Sequence, residues 1–105
     1  MLTPSPPPPD ERGKRWLQAK VQLLLAESAV PLAPPSAEGE LACSWGTGPE
    51  TGTTLYLHLA GDPEPQALRF RRTMIADCGS GLYVAQHQAV LWMCRTLKNM
   101  GILPA

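Results

Sequence analysis

The sequence predicts an α+β fold in the order α-β-β-β-α, with a three-stranded antiparallel sheet and two helices packed on one of its faces. Three observations support this prediction. A helical pattern of apolar residues comes first, three stretches of alternating apolar residues follow with short links, and a second helical pattern closes the chain. Packing both helices on the apolar face of the sheet would bury these patterns in one core.

The first helix is predicted over residues 11–28, after Asp10, whose side chain suits the N-cap position. Its apolar residues form two stripes at helical spacing. The first stripe is Leu17, Val21, Leu24 and Leu25, and the second is Trp16, Ala19, Leu23 and Ala26. Two stripes indicate a helix that is covered on two sides, so one side remains for the rest of the chain or for a partner.

Three strands are predicted between the helices, over residues 40–45, 53–60 and 67–76. In each range apolar and polar residues alternate, which is the pattern of a half-buried strand. In the second strand, Leu55, Leu57 and Leu59 lie on the apolar face, and Tyr56 and His58 lie on the other. The short links rich in Gly and Pro favour an antiparallel meander.

The last helix is predicted over residues 82–100, before Gly101, which suits a helix stop. Its apolar residues fall on one broad arc: Ala85, Ala89, Val90, Trp92, Met93, Leu97 and Met100. The small side chains of Ala85 and Ala89 would let this helix lie close to the sheet.

A single domain is predicted over residues 10–101, between a Pro-rich disordered tail, residues 1–9, and a short C-terminal tail, residues 102–105. A chain of 105 residues has the length of one small domain. No stretch approaches the ~18 apolar residues that a membrane span needs, and no secretory signal is recognisable. The predicted compartment is therefore the cytoplasm.

The charges balance, with 9 Lys+Arg against 9 Asp+Glu. Nucleic-acid binders usually carry a basic excess, because neutralising phosphate supplies much of their affinity. The composition therefore argues against strong, autonomous nucleic-acid binding. The three cysteines, Cys43, Cys78 and Cys94, match no zinc-ligand spacing, so we expect reduced thiols, no metal and no cofactor.

Three local motifs occur in a familiar order. Asp10 precedes Leu17-Gln18, Gly48-Pro49 precedes the alternating leucines of residues 55–59, and Gly79-Ser80-Gly81 precedes the small residues of the last helix. Together with the order of the elements, these motifs resemble those of the double-stranded-RNA-binding domain over roughly residues 10–100. The resemblance implies the same α-β-β-β-α fold.

The chain departs from that family where the family contacts RNA. Members that bind the duplex place lysines at the start of the last helix, and the matching positions here are Leu82, Tyr83 and Gln86. Thr51 stands where the family often has a histidine that reaches the minor groove. Related domains that lack these residues commonly act in protein docking or dimerisation. The resemblance therefore implies a non-catalytic interaction module that docks on a protein or on itself, which would also fit a place within a ribonucleoprotein complex.

Tyr83, Val84 and Leu91 are the predicted partner-binding residues. They are apolar, yet they fall on or beside the polar arc of the last helix. Exposed apolar side chains there, together with the second stripe of the first helix, would form a patch suited to a protein partner.

Direct binding of double-stranded or structured RNA is the alternative. Its candidate residues are Lys14, Arg15, Lys20, Tyr56, His58, Arg69 and Arg71. Arg69 and Arg71 would share the outward face of the sheet with Tyr56 and His58, an arrangement that suits bases stacked between cations. The same arginines also suit an edge strand that charge protects from pairing with another sheet.

A more distant alternative is a cysteine-dependent enzyme, with Cys78 as nucleophile and His58 or His87 as base. That chemistry requires a base within hydrogen-bond reach and a lowered thiol pKa, which a helix N-terminus would supply. No family signature surrounds these residues, and the sequence favours a protein without catalytic activity.

Overall fold

The computed structural model describes residues 8–34 and 42–104, and it has three helices and three strands in this part of the chain. The elements in chain order are α1 (Pro9–Glu27), β1 (Cys43–Trp45), β2 (Thr54–Leu57), β3 (Gln66–Arg69), α2 (Arg72–Gly79) and α3 (Tyr83–Asn99). The α+β class and the three-stranded antiparallel sheet are therefore confirmed. Most of the predicted Pro-rich tail, residues 1–7, lies outside the described residues.

The sheet is an antiparallel meander with the order β1-β2-β3. Trp45 pairs with Leu55, and Leu55 pairs with Leu68. Since side chains alternate along a strand, this row lies on the inner face of the sheet. The neighbouring row places Tyr56 between Ser44 and Ala67 on the outer face.

The predicted third strand over residues 67–76 is wrong beyond Arg69. β3 ends there, and Arg72–Gly79 forms α2, a helix that the sequence pattern did not predict. The buried residues of α2 are Ile75 and Cys78. Residues three positions apart lie on one face of a helix but on opposite faces of a strand, so burial of both side chains fits a helix. Gly81, with φ of 80°, then makes the turn into α3, which a residue without Cβ adopts readily.

Helices α1 and α2 cross so closely that the contact requires two glycines. A Cβ on Gly13 would lie 2.7 Å from the carbonyl carbon of Ile75, and one on Gly79 would lie 2.7 Å from the amide nitrogen of Gly13. Gly79 also faces the backbone of Pro9. Because Pro9 meets Gly79 and Gly13 meets Ile75, the two helices run antiparallel.

The core lies between the helices and the inner face of the sheet. The first stripe of α1 is inside, since Leu17, Val21 and Leu25 are fully buried. Leu103, beyond the end of α3, is also buried. The other fully enclosed side chains include Leu55, Leu57, Leu68, Ile75, Ala89, Met93 and Leu97. The predicted inward arc of α3 therefore does face the core.

Three aromatic rings connect the sheet to α3. The Trp45 and Phe70 ring centroids are 5.5 Å apart, and those of Phe70 and Trp92 are 5.1 Å apart, both tilted. Such tilted contacts are favourable for aromatic pairs.

Among the described residues, no helix has the length and apolar character needed to cross a bilayer.

Candidate interaction surface

One side of α3 exposes apolar side chains. Tyr83 is 78% exposed, Val84 63% and Leu91 52%. At about 100° per residue these positions and His87 fall within an arc of about 100°, turned away from the buried side of the helix. The structure thus brings together the three residues predicted to bind a partner.

A groove of about 250 Å³ runs between α1 and α3 beside this arc. Its lining residues are Trp16 and Lys20 from α1 and Tyr83, Gln86, His87 and Val90 from α3. We call this feature the α1–α3 groove. Tyr83 therefore belongs both to the exposed arc and to the wall of the groove.

Local contacts order the walls of the α1–α3 groove. The Tyr83 and His87 rings are stacked, with centroids 6.2 Å apart and planes 15° from parallel. The Lys20 Nζ lies 5.6 Å from the Trp16 ring centroid, within range of a cation–π contact. Gln86 donates a hydrogen bond of 3.0 Å from Nε2 to the Cys78 carbonyl oxygen, which holds its side chain toward α2.

The second stripe of α1 lies largely on the surface. Leu23 is 48% exposed, Ala19 and Ala26 are exposed, and Trp16 is half-buried. The sequence did not predict that Trp16 would form one wall of a groove with Tyr83. The signal was present in the two stripes of α1, because only one of two stripes can pack on the sheet and the other is left to form a second surface.

The cations of α1 that were predicted to contact RNA are engaged locally. Arg15 Nη2 donates to Glu11 Oε1 at 3.0 Å, and Lys14 Nζ lies 5.6 Å from the Trp45 ring centroid. Lys20 lies over Trp16 in the α1–α3 groove. Each cation thus has a different neighbour, and they do not converge on a single site.

The other predicted RNA contacts lie on the outer face of the sheet and just beyond the ends of β2 and β3. Tyr56 lies on the outer face of the sheet and His58 follows the end of β2, and both are half-buried. Arg69 ends β3, and the strand register places it on the same outer face as Tyr56, as predicted, whereas Arg71 is the N-cap residue of α2 instead of a strand residue. The two arginines border a separate depression, whose other lining residues are Met74 and Trp92 and not the predicted aromatic partners.

The proposed nucleophile Cys78 is not at a helix N-terminus. It lies in the last turn of α2, is buried, and donates a weak hydrogen bond of 3.8 Å from Sγ to the Ala85 carbonyl oxygen. Burial first, and then the charge of Asp77, raises the pKa of the Cys78 thiol. A raised pKa keeps the sulfur protonated, whereas a nucleophilic cysteine needs the thiolate.

The two histidines offered as its base lie on other elements. His87 is exposed on α3 and stacked on Tyr83, and the backbone N–H of His58 donates to the Ala42 carbonyl oxygen at 2.7 Å. Within residues 8–34 and 42–104, no group of three or more His, Cys, Asp and Glu side chains is arranged to hold a metal ion.

Comparisons with protein-family models, with curated proteins and with solved structures find no match to this chain. The resemblance to the double-stranded-RNA-binding domain therefore stays a prediction, based on motifs and on the order of the elements. Helix α2, inserted between the sheet and the last helix, is an addition to the α-β-β-β-α order.

Proposed function

We propose that this chain is a non-catalytic interaction module that docks on a protein, in the simplest case a second copy of itself. The observation that carries the proposal is the exposed apolar arc of α3, where Tyr83, Val84 and Leu91 are each more than half exposed. Several exposed large apolar side chains on one side of a small domain are typical of a protein-binding surface.

The α1–α3 groove supports the same proposal. Tyr and Trp are the residues that most often anchor protein interfaces, since each combines a large apolar surface with a polar group. Here Trp16 and Tyr83 line the same groove, and Val84 and Leu91 extend the apolar surface beyond it. A partner that inserted an apolar side chain into the groove would contact Trp16 and Tyr83. The free thiols of Cys43, Cys78 and Cys94 suit a reducing setting such as the cytoplasm.

The mass of the chain in solution, measured by sedimentation over a range of concentrations, tests self-docking. We expect the mass to rise with concentration, and Val84→Glu and Leu91→Glu to abolish the rise, because each would bury a charge in the interface. Asn99→Asp is the matched control, since it adds the same charge to an exposed polar position of the same helix, about two turns beyond Leu91.

A second experiment tests docking on a different protein. A photo-crosslinking residue placed at position 91, compared with the same residue at position 99 in the last turn of α3, would report a partner in cells. We expect an adduct of defined mass from position 91 that Val84→Glu removes. A chain that stays monomeric and forms no adduct specific to position 91 would contradict the proposal.

Binding of structured RNA is the second candidate function, and Arg69 and Arg71 at one depression favour it. Phosphate contacts made by these arginines would give an affinity that falls steeply with salt. Titration with a generic RNA duplex at low and moderate salt tests this. If Arg69→Ala and Arg71→Ala weaken RNA binding, the result favours RNA binding over protein docking. If neither substitution changes the RNA affinity, the result counts against RNA binding at this depression.

A further inference from the structure

The depression at Arg69 and Arg71 lies at the edge of the sheet, where β3 ends and the chain turns into α2. It has a volume of about 370 Å³ and is lined by Arg69, Arg71, Met74 and Trp92. Within the described residues β3 is an edge strand, so no further strand closes this side. The volume is at the lower end of the range for small-ligand sites, ~300–1,000 Å³.

The lining of this depression carries only positive charge. Arg69 and Arg71 are exposed, and neither of the other lining residues is acidic. In the described part of the chain the one ion pair joins Arg15 to Glu11, at 3.0 Å, so no carboxylate of these residues forms an ion pair with Arg69 or Arg71. Guanidinium groups stay charged and bind phosphate through paired N–H donors.

Trp92 supplies a fixed aromatic wall. It is half-buried, and its contact with Phe70, 5.1 Å between centroids, holds the indole in place. The Phe70 ring is held in turn by Trp45. Aromatic side chains beside cations bind the bases and the phosphates of unpaired nucleotides. Charge alone would discourage pairing at an edge strand, but that role needs neither an aromatic wall nor a depression.

We propose that this depression binds one unpaired nucleotide, with the base against Trp92 and Met74 and the phosphate held by Arg69 and Arg71. The base must be unpaired, because a base stacked inside a duplex has no free face to offer an aromatic ring. The ligand is a free mononucleotide or one nucleotide of a single strand, which share this chemistry. The site has no residue in common with the α1–α3 groove, so this proposal and the docking function can fail independently. It shares Arg69 and Arg71 with the second candidate function, and duplex binding as tight as single-strand binding would favour that function instead.

Titration of the full chain with adenosine 5′-monophosphate tests the site, with the Trp92 indole N–H followed by NMR. Adenosine and ribose 5-phosphate are titrated in parallel as the two halves of the ligand. We expect the whole nucleotide to bind at least about fivefold more tightly than either half, because the base and the phosphate contact different side chains.

Substitutions then assign the contacts. Arg69→Gln and Arg71→Gln should each weaken nucleotide binding about tenfold or more, as expected for a lost hydrogen bond to a charged group. Arg72→Gln is the matched control, because it removes the same charge from the adjacent exposed position, which does not line the depression. That variant should bind within about twofold of the parent, the range expected of a charge without direct contact.

Single-stranded and duplex oligonucleotides identify the source of the ligand. A single strand that binds more tightly than the mononucleotide, through the same residues, assigns the site to a strand; equal affinity assigns it to a free nucleotide. The proposal is overturned by equal binding of ribose 5-phosphate and the nucleotide, by tighter binding of phenyl phosphate, or by duplex binding as tight as single-strand binding. No saturable shift of the Trp92 signal, or an equal loss in Arg72→Gln, would also overturn it.

Discussion

Replacing Gly13 by alanine tests the tightest contact of the fold, the crossing of α1 and α2. The added methyl group would lie 2.7 Å from the carbonyl carbon of Ile75 and 3.0 Å from its Cγ2. Ordinary van der Waals contact begins at 3.4 Å, so clearing the carbonyl carbon alone separates the two helices by about 0.7 Å, and clearing the Ile75 carbonyl oxygen, which lies closer still, requires more. The obstacle is the backbone of α2, which cannot move aside as a flexible side chain could.

Two effects of opposite sign set how much free energy of unfolding the Gly13→Ala substitution removes. Overpacking of a closed contact costs about 1–3 kcal/mol, and a backbone obstacle belongs at the upper end of that range. Alanine is better than glycine in a helix by about 1 kcal/mol, which offsets part of the cost. We therefore expect the free energy of unfolding to fall by about 2 kcal/mol, and the melting temperature of a domain of this size to fall by about 8–16 °C.

Urea unfolding followed by circular dichroism measures this loss. Arg12→Ala is the control, because Arg12 is exposed in the same turn of α1, and its free energy of unfolding should change by less than about 0.5 kcal/mol. Gly79→Ala opens the same contact from the other side, so the double variant should lose less than the sum of the two single losses. A Gly13→Ala protein as stable as the parent would refute the close crossing.

The remaining predictions concern the cysteines. Alkylation of the native chain should modify Cys94 before Cys43 and Cys78, because Cys94 is half-buried and the other two are buried. Mass spectrometry of timed samples measures the order of modification, and equal rates at the three sites would contradict this prediction. Burial also raises the pKa of Cys43 and of Cys78 in the folded chain. Since unfolded thiols ionise near pH ~8.5, the unfolded state binds fewer protons above that pH, and the free energy of unfolding should fall as the pH rises further. Urea unfolding at pH ~7 and pH ~9.5 measures the fall, and the double variant Cys43→Ala, Cys78→Ala should reduce it.

Much of the candidate site was predictable, because exposure on a helix follows from its pattern. The core arc of α3, with Ala89, Met93 and Leu97 buried, requires that Tyr83 and Leu91 face outward. That inference needs only the helical period and the choice of the apolar side. It needs no knowledge of what else lies nearby.

Local patterns were sufficient to predict the two long helices, the presence of three strands and the α+β class, because hydrophobic periodicity is a property of consecutive residues. They did not predict where the third strand ends. The formation of α2 depends on long-range packing, since eight residues are too few to form a stable helix alone. This helix packs against α1 at Gly13 and Gly79. Long-range packing also brought Arg69 and Arg71 to Trp92, 21 or more positions away in the sequence. No local pattern contains such a pairing, because it arises only when separate elements bury their apolar faces in a common core.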